Sequence, residues 1–380
     1  MKDKKYFCYE IFKNISVISH NGKIQYSPCS WYIGHTFESD DMDIKTALRS
    51  NEHQKLKEMI DNDQPIPGCN RCYRDESNGL QSRRTSAKKN YEEFLNDTNI
   101  EGDCLTGIDY SLGNLCNLKC VICDPIQSSS WRDDWKKIYP LDPKGEDYEK
   151  TNQIRLEDKS TLKNLKFIHF HGGGEPLMVD NHVQVLEQIE DLSQTRITYN
   201  TNGTVRPSKK VLELWEKCRL VEIYFSIDAV GDQFEYQRKN ANWEEVSDNI
   251  EWFKENMPHN HMFNINCAWG LLNVYYLDQL VDWKKEVLDT NRYGDPVNII
   301  FQKVWRESEI NYLSPQALGA LGRKYQNYPE LLKLIDSIPA VNKSQTRFIE
   351  YIEKLDAVRG TDYKSSHKEW AELLGMQNGR

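Results

Sequence analysis

The segment TGIDYSLGNLCNLKCVIC, residues 106–123, places three cysteines directly after a run that is typical of a buried β-strand. Cys116, Cys120 and Cys123 follow the strand predicted over 106–112, with the spacing C-x3-C-x2-C. Loops at the carboxyl ends of parallel strands are where α/β barrels place reactive groups. The segment therefore predicts a parallel α/β fold and a site built on thiolates.

Further strand-like runs follow, separated by turns or by sequence with helical spacing. They cover 165–171, 196–200, 220–228, 262–269 and 297–304. Short β-branched and aromatic runs that alternate with helical patterns are typical of β-α units. Together with the first strand they predict an α/β fold whose parallel sheet forms a partial TIM barrel, (β/α)6, over residues 101–305.

The first hundred residues have a different pattern. Residues 12–34 alternate apolar and polar side chains around Asn21-Gly22, which predicts a β-hairpin. A helical stretch is predicted over 43–61, and a C-x2-C pair follows it at Cys69 and Cys72. We therefore expect residues 1–100 to form a small module, a hairpin and a helix closed by cysteines.

The last part of the chain is predicted to be helical. Residues 306–380 carry apolar side chains at helical spacing and have few strand signals, which predicts a helical C-terminal tail packed on the barrel. The charged run at 140–163 is the most linker-like stretch.

Composition narrows the class of protein. The 380 residues carry a formal net charge of −9 with acidic and basic side chains interspersed, which argues against a nucleic-acid binder. There is no apolar run of the length that a signal peptide or a membrane span needs, so we expect a cytoplasmic protein without membrane association. In the cytosol thiols stay reduced, so the ten cysteines favour metal ligation or catalysis over disulfides.

The cysteine loop lacks a fourth ligand. Soft thiolate ligands select iron-sulfur clusters or zinc, and three of them can hold three corners of a cubane. A structural zinc site would need another Cys or His, and residues 124–143 contain neither. The loop therefore favours a cluster with one iron left open, and a zinc loop with a distant fourth ligand is the alternative.

This loop resembles that of the radical S-adenosylmethionine (radical SAM) superfamily. The resemblance implies that the cofactor chelates the open iron of a 4Fe-4S cluster. One electron from the cluster then splits the sulfonium and yields a 5'-deoxyadenosyl radical. The family usually has an aromatic residue just before the third cysteine, where this chain has Ile122.

Further motifs carry the resemblance along residues 106–304. The stretch His171-Gly-Gly-Gly-Glu-Pro176 is similar to the family's Gly-Gly-Glu-Pro element, and Asn200-Thr-Asn-Gly-Thr204 to its Thr-Asn-Gly turn. The resemblance implies that the cofactor contacts are made by Gly173, Gly174, Glu175, Pro176, Asn202, Ser226, Asp228 and Arg238.

Cys8, Cys29, Cys69 and Cys72 make up a second set of thiols. Four ligands suit a closed site for zinc or for a fully ligated 4Fe-4S cluster. The surrounding sequence resembles the auxiliary modules called SPASM and twitch domains, in an apparently permuted order, because those modules usually follow the radical SAM domain. The resemblance implies a second 4Fe-4S cluster, with zinc as the alternative.

Three cysteines remain. Cys218 is predicted to be a small buried residue, and the role of Cys104 stays open. Cys267, on the fifth predicted strand, is a candidate hydrogen-atom donor to a substrate radical.

The expected function is hydrogen abstraction from a substrate. A peptide or protein is the expected substrate, with a small molecule as the alternative, and the outcome is an oxidation, a crosslink or an epimerisation. A low-potential donor such as ferredoxin or flavodoxin is the expected electron source. The rival hypothesis is a non-catalytic iron-sulfur or zinc protein with a structural or redox-sensing role.

Overall fold

The computed structural model describes residues 4–20, 23–40, 43–77, 79, 81–94, 105–145, 162, 165–304, 306–310, 313–338 and 345–376. The predicted hairpin turn Asn21-Gly22, Cys104 and most of the linker-like run lie outside these residues. The chain divides into two compact units. Unit 1 comprises residues 1–115, 148–199 and 208–221, and unit 2 comprises 116–147, 200–207 and 222–380. The two units are groups of residues that pack together, and they do not test the predicted domains. The domains at 1–100, 101–305 and 306–380 therefore remain a prediction.

The described strands are β1 Asn14–His20, β2 Lys23–Ser27, β3 Phe37–Ser39, β4 Gly107–Ser111, β5 Lys119–Cys120, β6 Phe167–His171, β7 Arg196–Thr201, β8 Leu220–Ser226, β9 Arg238–Lys239, β10 His261–Trp269 and β11 Asn298–Lys303. The strands predicted from the sequence therefore recur within about two residues at each end. The short strands β3, β5 and β9 were not predicted.

The α-helices of unit 1 are Tyr9–Lys13, Ile44–Arg49, Asn51–Asp61, Asn70–Ser77, Arg83–Lys89, Asn181–Leu186 and Lys209–Glu216. Those of unit 2 are Arg132–Ile138, Gly231–Gln237, Trp243–Asn256, Leu277–Val287, Pro315–Lys324, Pro329–Asp336, Thr346–Arg359, Tyr363–Ser366 and Lys368–Leu373. Single turns of 3-10 helix occur at Pro67–Cys69, Ser129–Trp131, Pro143–Gly145, Pro176–Met178, Leu192–Gln194, Val274–Tyr276 and Arg306–Ser308, and Asn90–Phe94 forms a π-turn.

Unit 1 is built on a mixed sheet with the strand order β7-β6-β4-β1-β2-β3. Its centre is parallel: β1 pairs with β4, β4 with β6, and β6 with β7. The predicted hairpin is confirmed, because β1 and β2 are antiparallel with His20 opposite Lys23, which leaves two residues for the turn. The hairpin therefore extends the parallel strands through β1 rather than standing apart from them.

The two faces of this sheet differ in chemistry because side chains alternate along each strand. One face carries the buried apolar side chains of β4, β6 and β7, and its rings pack closely: the Phe170 and Tyr199 centroids are 4.8 Å apart, and Tyr199 lies 5.1 Å from Trp215 of helix Lys209–Glu216. The other face is polar and carries Asp109 opposite His169. Unit 1 thus has an apolar core on one side of the sheet and polar side chains, among them the buried Asp109, on the other.

The single helix predicted over 43–61 is two helices. Ser50 between them has φ −58° and ψ 148°, which is not helical, and its hydroxyl accepts from the His53 backbone N–H. Asp43 caps the first helix in the same way, through the Thr46 N–H. Because serine competes as an N-cap, the periodicity continues through a position where the helix ends and restarts.

Unit 2 contains the parallel pair β10 and β11 and the antiparallel pair β5 and β9. In the latter, Cys120 lies opposite Arg238. The helices predicted for the C-terminal tail are present and belong to this unit. The structure confirms the predicted α/β fold with a parallel-strand sheet, which is typical of a partial TIM barrel. In the part of the chain that is described, no helix has the length and apolar character needed to cross a membrane.

Candidate functional site

The three cysteines of the loop lie together in unit 2 on a tightly turned backbone. The Cys123 N–H donates to the Cys120 carbonyl at 3.0 Å, and the Leu118 N–H donates to the Cys116 Sγ at 3.4 Å. Cys120 is buried, whereas Cys116 and Cys123 are half-buried. A hydrogen bond from Cys123, followed by the charge of Arg238, lowers the pKa of the Cys120 thiol to about 7 despite its burial. The same hydrogen bond raises the pKa of the Cys123 thiol, so the two sulfurs share one proton.

Polar side chains of unit 2 hold the loop in place. The Asn202 Nδ2 donates to the Cys116 Sγ at 3.7 Å and to the Asn117 Oδ1 at 3.1 Å. Asn117 in turn donates to the Thr204 hydroxyl at 2.9 Å. The predicted Thr-Asn-Gly turn is thus bonded directly to the cysteine loop. The predicted contact of Asn202 with the cofactor stays a prediction.

A buried ion pair lies against the same loop. The Arg238 Nη2 is 2.7 Å from the Asp228 Oδ2, and the two side chains are 8% and 0% exposed. The Arg238 Nη1 donates to the Cys120 Sγ at 3.7 Å, and the Ala268 N–H donates to the Asp228 Oδ1 at 2.7 Å. Both residues were predicted to contact the cofactor. The structure brings them together beside a cysteine, at the end of the strand that finishes at Ser226.

The glycine-rich element lies in unit 1 and meets the residues that precede the cysteine loop. The Glu175 N–H donates to the Leu115 carbonyl at 2.8 Å. Gly172 and Gly174 have φ of +100° and +79°, and a Cβ on Gly174 would be 2.9 Å from the carbonyl oxygens of Gly113 and Leu115. Glycine is required there because the backbone is left-handed and two chains approach closely.

The rest of this element caps a short turn. Gly173 lies between the two left-handed glycines, and Pro176 begins the turn Pro176–Met178. The Glu175 side chain is buried, and its Oε1 accepts from the Leu177 N–H at 3.2 Å. In the structure this carboxylate fixes the turn, and the cofactor contact that the resemblance implies for Glu175 stays a prediction.

The donor set of the loop fits an iron-sulfur cluster. Three thiols lie on one loop, and N–H groups of Leu118, Asn202 and Arg238 donate to two of the sulfurs, as is usual for cluster ligands. No three His, Cys, Asp or Glu side chains among the described residues converge as the ligands of a single metal ion would. The fit therefore rests on the chemistry of the donors.

The second set of cysteines surrounds one cavity in unit 1. Cys8, Cys29, Cys69 and Cys72 all line it, and its empty volume, which includes the open mouth, is about 380 Å³. Arg83 also lines the cavity. Burial raises the pKa values of the Cys8 and Cys29 thiols well above the usual range. Four thiols predicted as one set from distant positions in the sequence are thus brought to one place.

Sequence reasoning missed a buried charge network beside this cavity. The Arg83 Nη2 lies 2.8 Å from Glu10 and 2.7 Å from Asp109. His169 lies 3.4 Å from Asp109, and the His171 Nε2 lies 3.4 Å from the Ser16 hydroxyl, so both histidines have polar partners. The network joins the cysteine module to strands β4 and β6. No sequence motif predicts this network, because its residues come from separate helices and strands.

The two further cysteines that the structure describes, Cys218 and Cys267, are buried, whereas the predicted cofactor residue Ser226 is half-buried at the end of β8. Cys218 is 5% exposed, as predicted. Cys267 is fully buried, with its Sγ 3.8 Å from the Asp228 carbonyl oxygen. The preceding residue, Asn266, points to the opposite face of β10 and donates to Asn200. A hydrogen-atom donor must reach the substrate, so this burial does not favour the role predicted for Cys267.

Comparisons with known proteins identify the domain. Residues 110–267 match the family model of the radical SAM superfamily. No curated protein matches the chain. Among solved structures, "Native anSMEcpe with bound AdoMet" shares 17% identity over 63% of this chain and 63% of that chain, with a TM-score of 0.39. SuiB of Streptococcus suis bound to the precursor peptide SuiA shares 15% identity over 77% of this chain and 61% of its own, with a TM-score of 0.37.

The alignment with both structures covers less than two thirds of their chains. The family match is the stronger finding, because it contains Cys116, Cys120 and Cys123 together with the glycine-rich element. Residues 110–267 therefore form a radical SAM domain, as the cysteine loop and the glycine-rich element predict.

Proposed function

We propose that this protein reductively cleaves S-adenosylmethionine at a 4Fe-4S cluster held by Cys116, Cys120 and Cys123, and that it removes a hydrogen atom from a substrate. The observation that carries the proposal is the geometry of the loop: three thiols on one turn inside the matched domain, with N–H groups donating to their sulfurs. A three-ligand cubane leaves one iron free, and the bound cofactor supplies the radical chemistry.

The chain's own residues would prepare the site in three ways. Asn202 and Arg238 donate to the sulfurs of Cys116 and Cys120, which stabilises negative charge on the ligands. Burial of Arg238 and Asp228 excludes water from that side of the loop. The left-handed backbone at Gly174 leaves space for close backbone approach.

The activity test uses the full chain reconstituted with iron and sulfide without oxygen. We expect 5'-deoxyadenosine and methionine after addition of dithionite and S-adenosylmethionine. Cys120→Ala should abolish both products, and Cys218→Ala, which removes a buried thiol outside the loop, should retain them. Wild-type protein that binds metal but yields no more 5'-deoxyadenosine than Cys120→Ala would favour the rival, a non-catalytic metal protein.

We further propose that Cys8, Cys29, Cys69 and Cys72 hold an auxiliary 4Fe-4S cluster in a SPASM- or twitch-like module. A single cavity lined by four thiols supports this proposal. Four thiolates complete a cubane without an open iron, which suits electron transfer rather than substrate chelation. Cys69→Ala with Cys72→Ala should lower the iron content by about half and leave 5'-deoxyadenosine formation in place. Zinc recovered in proportion to these cysteines would contradict the proposal.

For the substrate we propose a peptide or protein, with a small molecule as the alternative, and a ferredoxin or flavodoxin as the electron donor. The support is the resemblance to radical SAM proteins with auxiliary modules, most of which modify peptides. Mass spectrometry of a peptide encoded beside the gene, after incubation with the reconstituted enzyme and S-adenosylmethionine, tests this choice. An unchanged peptide mass with active cofactor cleavage would point to another substrate.

A further inference from the structure

A buried group of charged side chains lies behind the cysteine loop in unit 2. Arg359 ends the helix Thr346–Arg359, and its side chain is 3% exposed. Its Nε donates to the Asp134 Oδ2 at 2.9 Å, while the Asp134 Oδ1 accepts from the Lys119 Nζ at 3.0 Å. Lys119 directly precedes Cys120. One buried carboxylate therefore joins the C-terminal helix to the loop.

Two more contacts place the same helix against the loop. The Arg359 guanidinium lies 4.2 Å from the ring centroid of Trp131, and the Trp131 Nε1 donates to the Cys120 carbonyl at 2.7 Å. Earlier in the same helix, the Tyr351 hydroxyl donates to the Val121 carbonyl at 2.9 Å. Both acceptors are backbone carbonyls inside the cysteine loop, so the helix contacts the segment that carries the ligands.

The charges in this group do not cancel. Asp134 is shared by two cations, Lys119 and Arg359, whereas Arg238 has its own partner in Asp228. Within the described part of the chain, the buried Arg359 Nη1 and Nη2 find no hydrogen-bond partner. A buried cation without full compensation is costly, so its position beside a site for an anionic group calls for an explanation.

An iron-sulfur cluster on three thiolates is such a group. A cubane core with two positive charges and three thiolate ligands is anionic, and its reduction by one electron adds a further negative charge. A fixed positive charge nearby stabilises the reduced form more than the oxidised form. The Arg359 charge lies close to this loop, because its guanidinium is 4.2 Å from the Trp131 ring centroid and Trp131 donates directly to the Cys120 carbonyl.

We propose that Arg359 is a positioning residue of the cluster site, and that its buried charge raises the reduction potential of the cluster held by Cys116, Cys120 and Cys123. The C-terminal extension is then part of the redox site rather than only a packing element. This inference rests on the proposed function. The step concerned is a one-electron reduction: the electron comes from a low-potential donor, no bond forms or breaks, and no proton moves.

The size of the effect follows from the charge. A unit charge about 10 Å from a redox centre, at an effective dielectric constant of about 20, changes an equilibrium by roughly tenfold. We therefore expect Arg359→Gln to lower the ratio of reduced to oxidised cluster about tenfold at a fixed potential, which corresponds to about 59 mV for a one-electron couple. Arg359→Lys, which keeps the charge, should recover most of the ratio.

The experiment is an anaerobic potentiometric titration of the reconstituted full chain, followed by electron paramagnetic resonance. The signal that changes when S-adenosylmethionine is added identifies the loop cluster. Arg347→Gln is the matched control, because Arg347 lies on the same helix, is exposed and loses the same charge. Its potential should equal that of the wild type.

Asp134→Asn is the second variant, and it separates charge from structure. Removing this carboxylate leaves Lys119 and Arg359 without their counter-charge, so the potential should rise, whereas Arg359→Gln should lower it. Equal potentials for Arg359→Gln and Arg347→Gln, or shifts of the same sign in Arg359→Gln and Asp134→Asn, would overturn the inference. If Arg359→Gln fails to incorporate iron, the direction of the Asp134→Asn shift decides. If the wild-type protein cleaves no S-adenosylmethionine, that result contradicts the proposed function rather than this inference.

Discussion

Replacing Gly174 by alanine tests the close approach between the glycine-rich element and the residues before the cysteine loop. The new Cβ would lie 2.9 Å from the carbonyl oxygens of Gly113 and Leu115, and both atoms belong to backbone that cannot rotate away. The backbone at Gly174 also has φ +79°, which costs an L-residue about 1 to 2 kcal/mol. Overpacking adds about 1 to 3 kcal/mol, so we expect a total loss of about 2 to 5 kcal/mol in the free energy of unfolding.

Gly79→Ala separates the two contributions. Gly79 belongs to the same unit and has a similar φ of +72°, but a Cβ there would meet no atom of the described residues within 4 Å. It should therefore lose only the conformational part, about 1 to 2 kcal/mol.

The assay is urea unfolding of the metal-free, reduced chain, with S-adenosylmethionine binding to the reconstituted protein measured in parallel. Relief of the clash would move the Leu115 carbonyl that now accepts from the Glu175 N–H, so Gly174→Ala should also weaken cofactor binding. Equal losses of stability in Gly174→Ala and Gly79→Ala, or normal cofactor binding by Gly174→Ala, would refute the proposed role of this contact.

Three further predictions follow from buried contacts. Arg83→Met leaves the buried carboxylates of Glu10 and Asp109 without their cation and should lower the free energy of unfolding by about 3 to 5 kcal/mol. The control Arg74→Gln, at an exposed position, should change it by no more than about 0.5 kcal/mol. Equal effects of the two variants in urea unfolding would contradict this prediction. Trp131→Phe removes the donor to the Cys120 carbonyl and should cost about 1 to 3 kcal/mol, with less iron retained after desalting; full iron retention would count against the contact. Burial lowers the pKa of His182 to about 4, below the 6.5 of the unfolded chain, so the unfolded state binds more protons. The free energy of unfolding should therefore decrease by about 2 kcal/mol when the pH is lowered from 7 to 5. An unchanged pH dependence in His182→Gln would show that this histidine contributes nothing.

Much of the fold could be predicted from local sequence. The strands were found because β-branched and aromatic runs alternate with helical spacing, and the β1–β2 hairpin was found because Asn-Gly favours a two-residue turn. The break at Ser50 was missed, because a serine cap does not interrupt the apolar periodicity of the segments on either side. The short strands β5 and β9 were missed because two residues carry no periodic pattern.

The candidate site was predicted in part. Cys116, Cys120 and Cys123 are neighbours in the sequence, so one loop brings them together. The pairing of Arg238 with Asp228 and with the Cys120 sulfur could not be predicted, because a spacing along the chain does not say which buried charges meet.

The sequence alone determined the chemistry of the ligands, the positions of the parallel strands and the family of the central domain, since each depends on residues close together in the chain. The tertiary structure decided how charge is arranged around them. Arg359 meets Asp134 across 225 residues, and Arg83 meets Glu10 across 73. The physical reason is that a buried ion needs a partner of opposite charge, and tertiary packing decides which side chain lies close enough to be that partner. Local sequence patterns contain no information about such distant contacts.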